Sequence, residues 1–142
     1  MKDSTYIFLN SIREIDKKIE RLQSKKKQLE WSLLPAGIRY DKDRVQTTPE
    51  DSMLAICTDI AEVDAEITML IVKRAEQVKT VYDTIERMQD MDEQTVIIHR
   101  YIMRTPIKDI AKSVSYSVEW VQKKRKDGVD HLTEILEGVK NE

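Results

Sequence analysis

Between Ser117 and Lys126 the chain reads SVEWVQKKRK, and this stretch has the residue types and spacing to do chemistry. A serine ahead of a helix-forming run suits an N-cap, and the N–H groups left open near such a start suit a phosphate oxygen. At 3.6 residues per turn, burying Val121 turns Val118, Glu119, Gln122, Lys123 and Lys126 outward. Lys123 and Lys126 can then neutralise backbone phosphates, while Glu119 and Gln122 reach base edges. Lys124 and Arg125 fall nearer the flanks, better placed for phosphate than for bases. The chemistry to expect is recognition of double-stranded DNA; the alternative is a solvated basic helix. Trp120 either covers the junction with the preceding helix or lies against a sugar, and packing is the expected role.

No other constellation competes. The sequence has no glycine-rich phosphate loop and no CxxC pair. His99 and His131 lack ligand spacing around them, so no metal site is expected; His99 reads as a rim residue and His131 as a solvated one. Cys57, the single cysteine, lies beside an apolar stripe and reads as a small hydrophobe in a reducing, cytoplasmic setting. Nothing assembles a nucleophile, a base and an orienting group, so neither enzyme activity nor a cofactor is expected.

The basic stretch needs a scaffold, and the sequence around it supplies short helices. Asp92 can cap a helix through Val96, Ile97 and Tyr101. Thr105-Pro106 opens a second, PIKDIAKSV, with Ile107, Ile110, Ala111 and Val114 inward. Ser115-Tyr116 makes the turn. Ser117 starts a third, with Val121, Gly128, Val129, Leu132, Ile135 and Leu136 inward. Three helices with a tight turn between the last two form a helix-turn-helix pattern over residues 92–142.

Residues 1–91 carry two longer stripes. Phe8, Ile12, Ile15, Ile19, Leu22, Leu29 and Leu33 alternate by three and four, with Lys26 interrupting. This predicts a helix over 4–34, capped by Asp3 or Ser4 and stopped ahead of Pro35. Residues 35–50 hold two of the three prolines and read as a connection. Thr48-Pro49 opens a second long helix to residue 90, with Glu50 and Asp51 suiting its dipole. Its stripe runs through Met53, Ile56, Ile60, Val63, Ile67, Leu70, Val78, Val81, Ile85 and Met88, with Arg74 interrupting. Neither stripe can be buried alone, so an antiparallel, coiled-coil-like hairpin is expected, which can also pair with a second copy. Lys26 and Arg74 should lay their stems along the seam and keep their charges wet.

Charge is unevenly spread over the 142 residues. Residues 1–34 carry net +3, 35–91 net −5, 92–126 net +4 and 127–142 net −4, for a total of −2. A basic block between acidic ones is a local footprint for a polyanion. No apolar run nears the roughly 20 residues that span a bilayer, so no membrane partner is expected.

The stretch PIKDIAKSVSYSVEWVQKKRKDGVDHL resembles region four of bacterial sigma factors over roughly residues 92–137. Ser117 matches that family's capping hydroxyl, Val121 its buried aliphatic, and Gly128, Val129 and Leu132 its core pattern. Glu119 falls on its base-reading glutamate, although the flanking positions, often arginine there, are Val118 and Trp120 here. The whole chain, with DRVQTT at Asp43–Thr48, resembles the ArpU and RinA-like late-transcription regulators of Gram-positive phages and prophages. That resemblance implies an all-α regulator of late genes in the bacterial cytoplasm, with DNA as its ligand and RNA polymerase as a candidate partner. Two other readings stay open: a phage terminase small subunit, which delivers DNA to packaging, and a coiled-coil adaptor that binds protein.

Overall fold

The computed structural model describes residues 2–34 and 50–141. Every regular element among them is helical: α1 (Lys2–Leu9), α2 (Ser11–Trp31), α3 (Glu50–Ile85), α4 (Met91–Ile97) with a π-helical segment at Ile98–Ile102, α5 (Ile107–Val114) and α6 (Val118–Asn141). The protein is all-α. No described helix is long and apolar enough to cross a membrane.

Packing divides the chain into two units, Met1–Glu14 with Arg74–Glu142, and Ile15–Lys73. The division expected at residue 91 is thus replaced by one that assigns the first residues to the same unit as the last. The cause is the apolar face shared by α1 and the first turn of α2. Leu9 and Ile12 are fully buried with Val81, Ile85, Met88, Ile97, Val129 and Leu132 in one cluster. Each such side chain contributes roughly 1.5–3 kcal/mol on burial. Polar contacts fix the register: Thr5 and Thr133 share a 2.6 Å hydrogen bond, Gln77 Nε2 donates to Ser11 Oγ at 2.9 Å, and Lys2 pairs with Asp130 at 2.9 Å.

The expected helix over 4–34 differs at both ends and near one end of its interior. It begins at Lys2, so Asp3 lies in the first turn rather than at the cap, and it is interrupted at Asn10. Ser11 Oγ donates to the Phe8 carbonyl at 2.7 Å, a side-chain bond of the kind that bends helices. Its regular part stops at Trp31, before Pro35 as expected. The Thr48-Pro49 start lies outside the described residues.

In the second unit, Leu22 borders a surface hollow with Met69 and Leu70, and Leu29 borders one with Asp59 and Val63. Lys26 places its ammonium 2.8 Å from Asp64, so the interrupting lysine finds an acid at the seam's edge. Cys57, expected as a packed hydrophobe, is exposed.

The second long helix ends at Ile85, short of residue 90, and Met88 is buried in the turn beyond it. Asp90, not Asp92, then caps α4, accepting from the N–H groups of Asp92 and Glu93. Both acids suit the start of a helix, and local sequence does not separate them. The helix expected through Tyr101 widens after Ile97 into the π segment, where the Met103 N–H bonds the Ile98 carbonyl at 3.0 Å. It closes on Arg104 at φ 56. The following helix begins one residue later than expected: Pro106 is the extended cap residue at ψ 147, without a side-chain capping bond.

Candidate nucleic-acid interface

The basic stretch is positioned by a tight turn. α5 ends at Ser115, held in the left-handed region at φ 61. The Tyr116 N–H reaches back to the Ala111 carbonyl at 3.1 Å, the six-to-one bond of a Schellman ending. Ser117 then accepts from the Trp120 N–H at 3.1 Å, the N-cap that the sequence predicted. Val121 is fully buried against Val96, Ile110 and Ala111, with Ile107, Val114 and Trp120 packed around them.

With Val121 anchored, Val118, Glu119, Gln122, Lys123 and Lys126 are all exposed. They fall within an arc of about 140° at 100° per residue. Ser117 is exposed at the head of that arc. The inward set also stands where the sequence placed it: Gly128, Val129 and Leu132 are buried, Ile135 and Leu136 half-buried.

Lys124 and Arg125 are placed differently from the rest of the basic run. The Lys124 ammonium lies 2.9 Å from Asp90 and 5.7 Å from the Trp120 ring centroid. Its hydrogen bond to Asp90 raises the Lys124 pKa and lowers that of the carboxylate. Arg125 donates Nε to Gln122 Oε1 at 3.1 Å and a terminal NH to the Tyr101 hydroxyl at 3.2 Å. One cation thus ties α6 to the cap of α4, and the other holds a Gln122 amide on the outward arc. Trp120 packs as expected, half-buried and stacked on Tyr116 with centroids 4.0 Å apart.

Asp90 and Tyr101 could not be foreseen in these supporting roles, because both partners are distant in the chain. His131 is exposed, as its sequence context suggests, and in addition has a buried partner. Its side chain is 54% exposed, yet Nδ1 lies 2.6 Å from Oε1 of Glu93, whose side chain is 5% exposed. That hydrogen bond to Glu93 raises the His131 pKa. The pair borders a cavity of about 370 Å³ with Arg87, Asp90 and Glu134. His99 is half-buried. Among the described residues, no group of three or more His, Cys, Asp or Glu side chains could hold a metal ion.

Gly128 explains how closely α6 approaches α4. A Cβ built there would lie 3.0 Å from Ile97 Cγ1 and 3.2 Å from its Cδ1. The glycine lets the two helices meet at that crossing, which sets where the N-terminal arc of α6 stands over α4 and α5. Set against known protein families, curated proteins and solved structures, the chain matches none.

Proposed function

We propose that the chain is a sequence-specific DNA-binding regulator of transcription, with α5 and α6 acting as a helix-turn-helix and α6 as the reading helix. The observation that carries this is the sorting of one helix. Val121 is buried, while Glu119, Gln122, Lys123 and Lys126 share one exposed arc headed by a capped N-terminus. A helix in the major groove needs cations for phosphates and polar amides or carboxylates for base edges on the same side. Gln122, held by Arg125, and Glu119 are the readers in this reading; Lys123 and Lys126 hold the backbone. Lys124 serves to seat the helix through Asp90.

In the same reading the two long helices form an antiparallel hairpin, and the protein meets paired half-sites as a dimer. The likeness to phage late-gene regulators names late phage or prophage genes as the targets and RNA polymerase as a partner.

Binding selections with randomised duplexes test this directly. Lys123→Ala and Lys126→Ala should weaken all sequences alike, each lowering the magnitude of the log K against log salt slope by about 0.9. Glu119→Ala should relax preference at one base pair, with roughly 1–3 kcal/mol of discrimination lost and the slope nearly unchanged. A wild type without salt-sensitive duplex binding, or a Glu119→Ala protein with unaltered preferences, overturns the reading.

A further inference from the structure

The hydrogen bond that Gln122 already makes decides which base its amide can read. Arg125 Nε donates to Gln122 Oε1 at 3.1 Å. Arginine carries donors and no acceptor, so the amide must turn its oxygen to Arg125 and its NH2 group away. Gln122 is exposed on the outward arc, and what it offers a ligand there is therefore a donor.

The guanidinium that sets this orientation is itself braced. It donates a terminal N–H to the Tyr101 hydroxyl at 3.2 Å and interacts with Tyr6 as well. The two tyrosine rings lie 6.3 Å apart, tilted by 54°, and both pack against the buried cluster of Leu9, Ile97 and Leu132. Arg125 is half-buried beside them. Tyr101 stands in the π segment and Tyr6 in α1, so two separate elements converge on one side chain of α6. A polar pair three residues apart on an isolated helix is weak. Here the tyrosines hold the arginine in place beforehand, and little freedom is lost when Gln122 joins it.

Purine edges in the major groove are told apart by this property. A free glutamine suits adenine, with Oε1 accepting from N6 and Nε2 donating to N7. In this chain Oε1 is engaged by a cation, and an adenine N6 amino group approaching it meets a rival donor and a positive charge. Guanine instead presents two acceptors, N7 and O6. These match a surface that holds the Gln122 NH2 group and the adjoining guanidinium. The charge beside the amide oxygen also polarises the amide and strengthens its N–H as a donor.

We propose that Arg125, braced by Tyr101 and Tyr6, is a positioning residue that makes Gln122 a hydrogen-bond donor and so directs it to guanine over adenine. This specificity rests on the DNA-binding reading above and names the base at one position of the site. Through Tyr6, it also makes α1 a contributor to what α6 reads, although the two helices lie at opposite ends of the sequence.

Selections with the full chain and with its Gln122→Ala variant locate the base pair whose preference depends on Gln122. In competition between duplexes that differ only there, the wild type should bind guanine about tenfold tighter than adenine, the scale of one good base contact. Arg125→Met keeps a stem for the tyrosines to pack on and removes every donor. Its amide is free to turn, so the guanine preference should vanish or reverse to adenine. Tyr6→Phe combined with Tyr101→Phe keeps both rings in the core and should narrow the preference with unchanged helical circular dichroism. Damage to the fold alone would weaken both duplexes equally and leave their ratio unmoved. A wild type that selects no sequence overturns the DNA-binding reading and the donor role with it. Four outcomes overturn the donor role while sequence-selective binding stands: Gln122→Ala with unaltered preferences, a wild type that prefers adenine, Arg125→Met with its guanine preference kept, or an unchanged ratio in the double tyrosine variant.

Discussion

Two glycines lie in α6, and replacing each by alanine should move stability in opposite directions. In a helix interior alanine is favoured over glycine by about 0.8–1 kcal/mol. At Gly138 a Cβ would meet nothing within 4 Å, so Gly138→Ala should gain up to that amount, less because the helix ends at Asn141. At Gly128 the same gain is set against Ile97, whose Cγ1 would lie 3.0 Å from the new methyl. Ile97 is fully buried in the main cluster, and its β-branched side chain has one strongly preferred rotamer in a helix. Relief must come from separating α4 and α6, and overpacking of this kind costs about 1–3 kcal/mol. The net expectation for Gly128→Ala is a loss of about 0–2 kcal/mol. Urea unfolding followed by circular dichroism measures both variants. Adding Ile97→Val, which removes Cδ1, should return part of the Gly128→Ala loss while costing the wild type about 0.5–1.5 kcal/mol. If Gly128→Ala stabilises the protein as Gly138→Ala does, the close crossing is not present, and the seating of α6 must be argued anew.

Three further expectations follow from the same unit. Because the Glu93 hydrogen bond raises the His131 pKa, the stabilisation is complete below the unfolded value near 6.5. It fades as pH rises through the folded value. The difference in urea midpoint between wild type and His131→Gln should therefore shrink toward alkaline pH, and a pH-independent difference would refute the pairing. Ser117→Ala removes the cap on the Trp120 N–H and should cost about 1 kcal/mol, read as a lower thermal midpoint. Ser115→Gly places the freest residue at φ 61 and should stabilise by about 1 kcal/mol, so a destabilised variant would count against the left-handed turn.

The local signals were legible where chemistry is local. Ser117 as a cap, Ser115-Tyr116 as a turn, and the inward set from Val121 to Leu132 follow from side-chain type and helical period. What sequence could not rank were choices settled by distant partners. Asp90 and Asp92 are equal as caps until Lys124 arrives beside Asp90 at 2.9 Å. His131 is exposed as expected, and only the fold brings Glu93 to it. The π segment after Ile97 has no marker in its residue types, since Ile98–Ile102 would propagate an ordinary helix. Helical period separates Lys124 and Arg125, at the flanks, from Lys123 and Lys126 on the outward arc, but it does not show that Asp90, Gln122 and Tyr101 engage the first two.

The sharing of one core by α1 and α6 also has a consequence for the order in which the chain can fold. Leu9 and Ile12 find Val129 and Leu132 only after more than a hundred further residues have been made. At about 5–20 residues per second, that is an interval of roughly 6–24 s. Through it the α1 face that ends in the core has no completed partner, while α2 and α3 can already pair. Assembly of the unit that carries the basic helix is thus a late event, paced by synthesis rather than by helix formation, which takes microseconds or less. A ribosome stalled before Val129 would hold a chain whose two long helices can have formed while the unit that carries the basic helix has not.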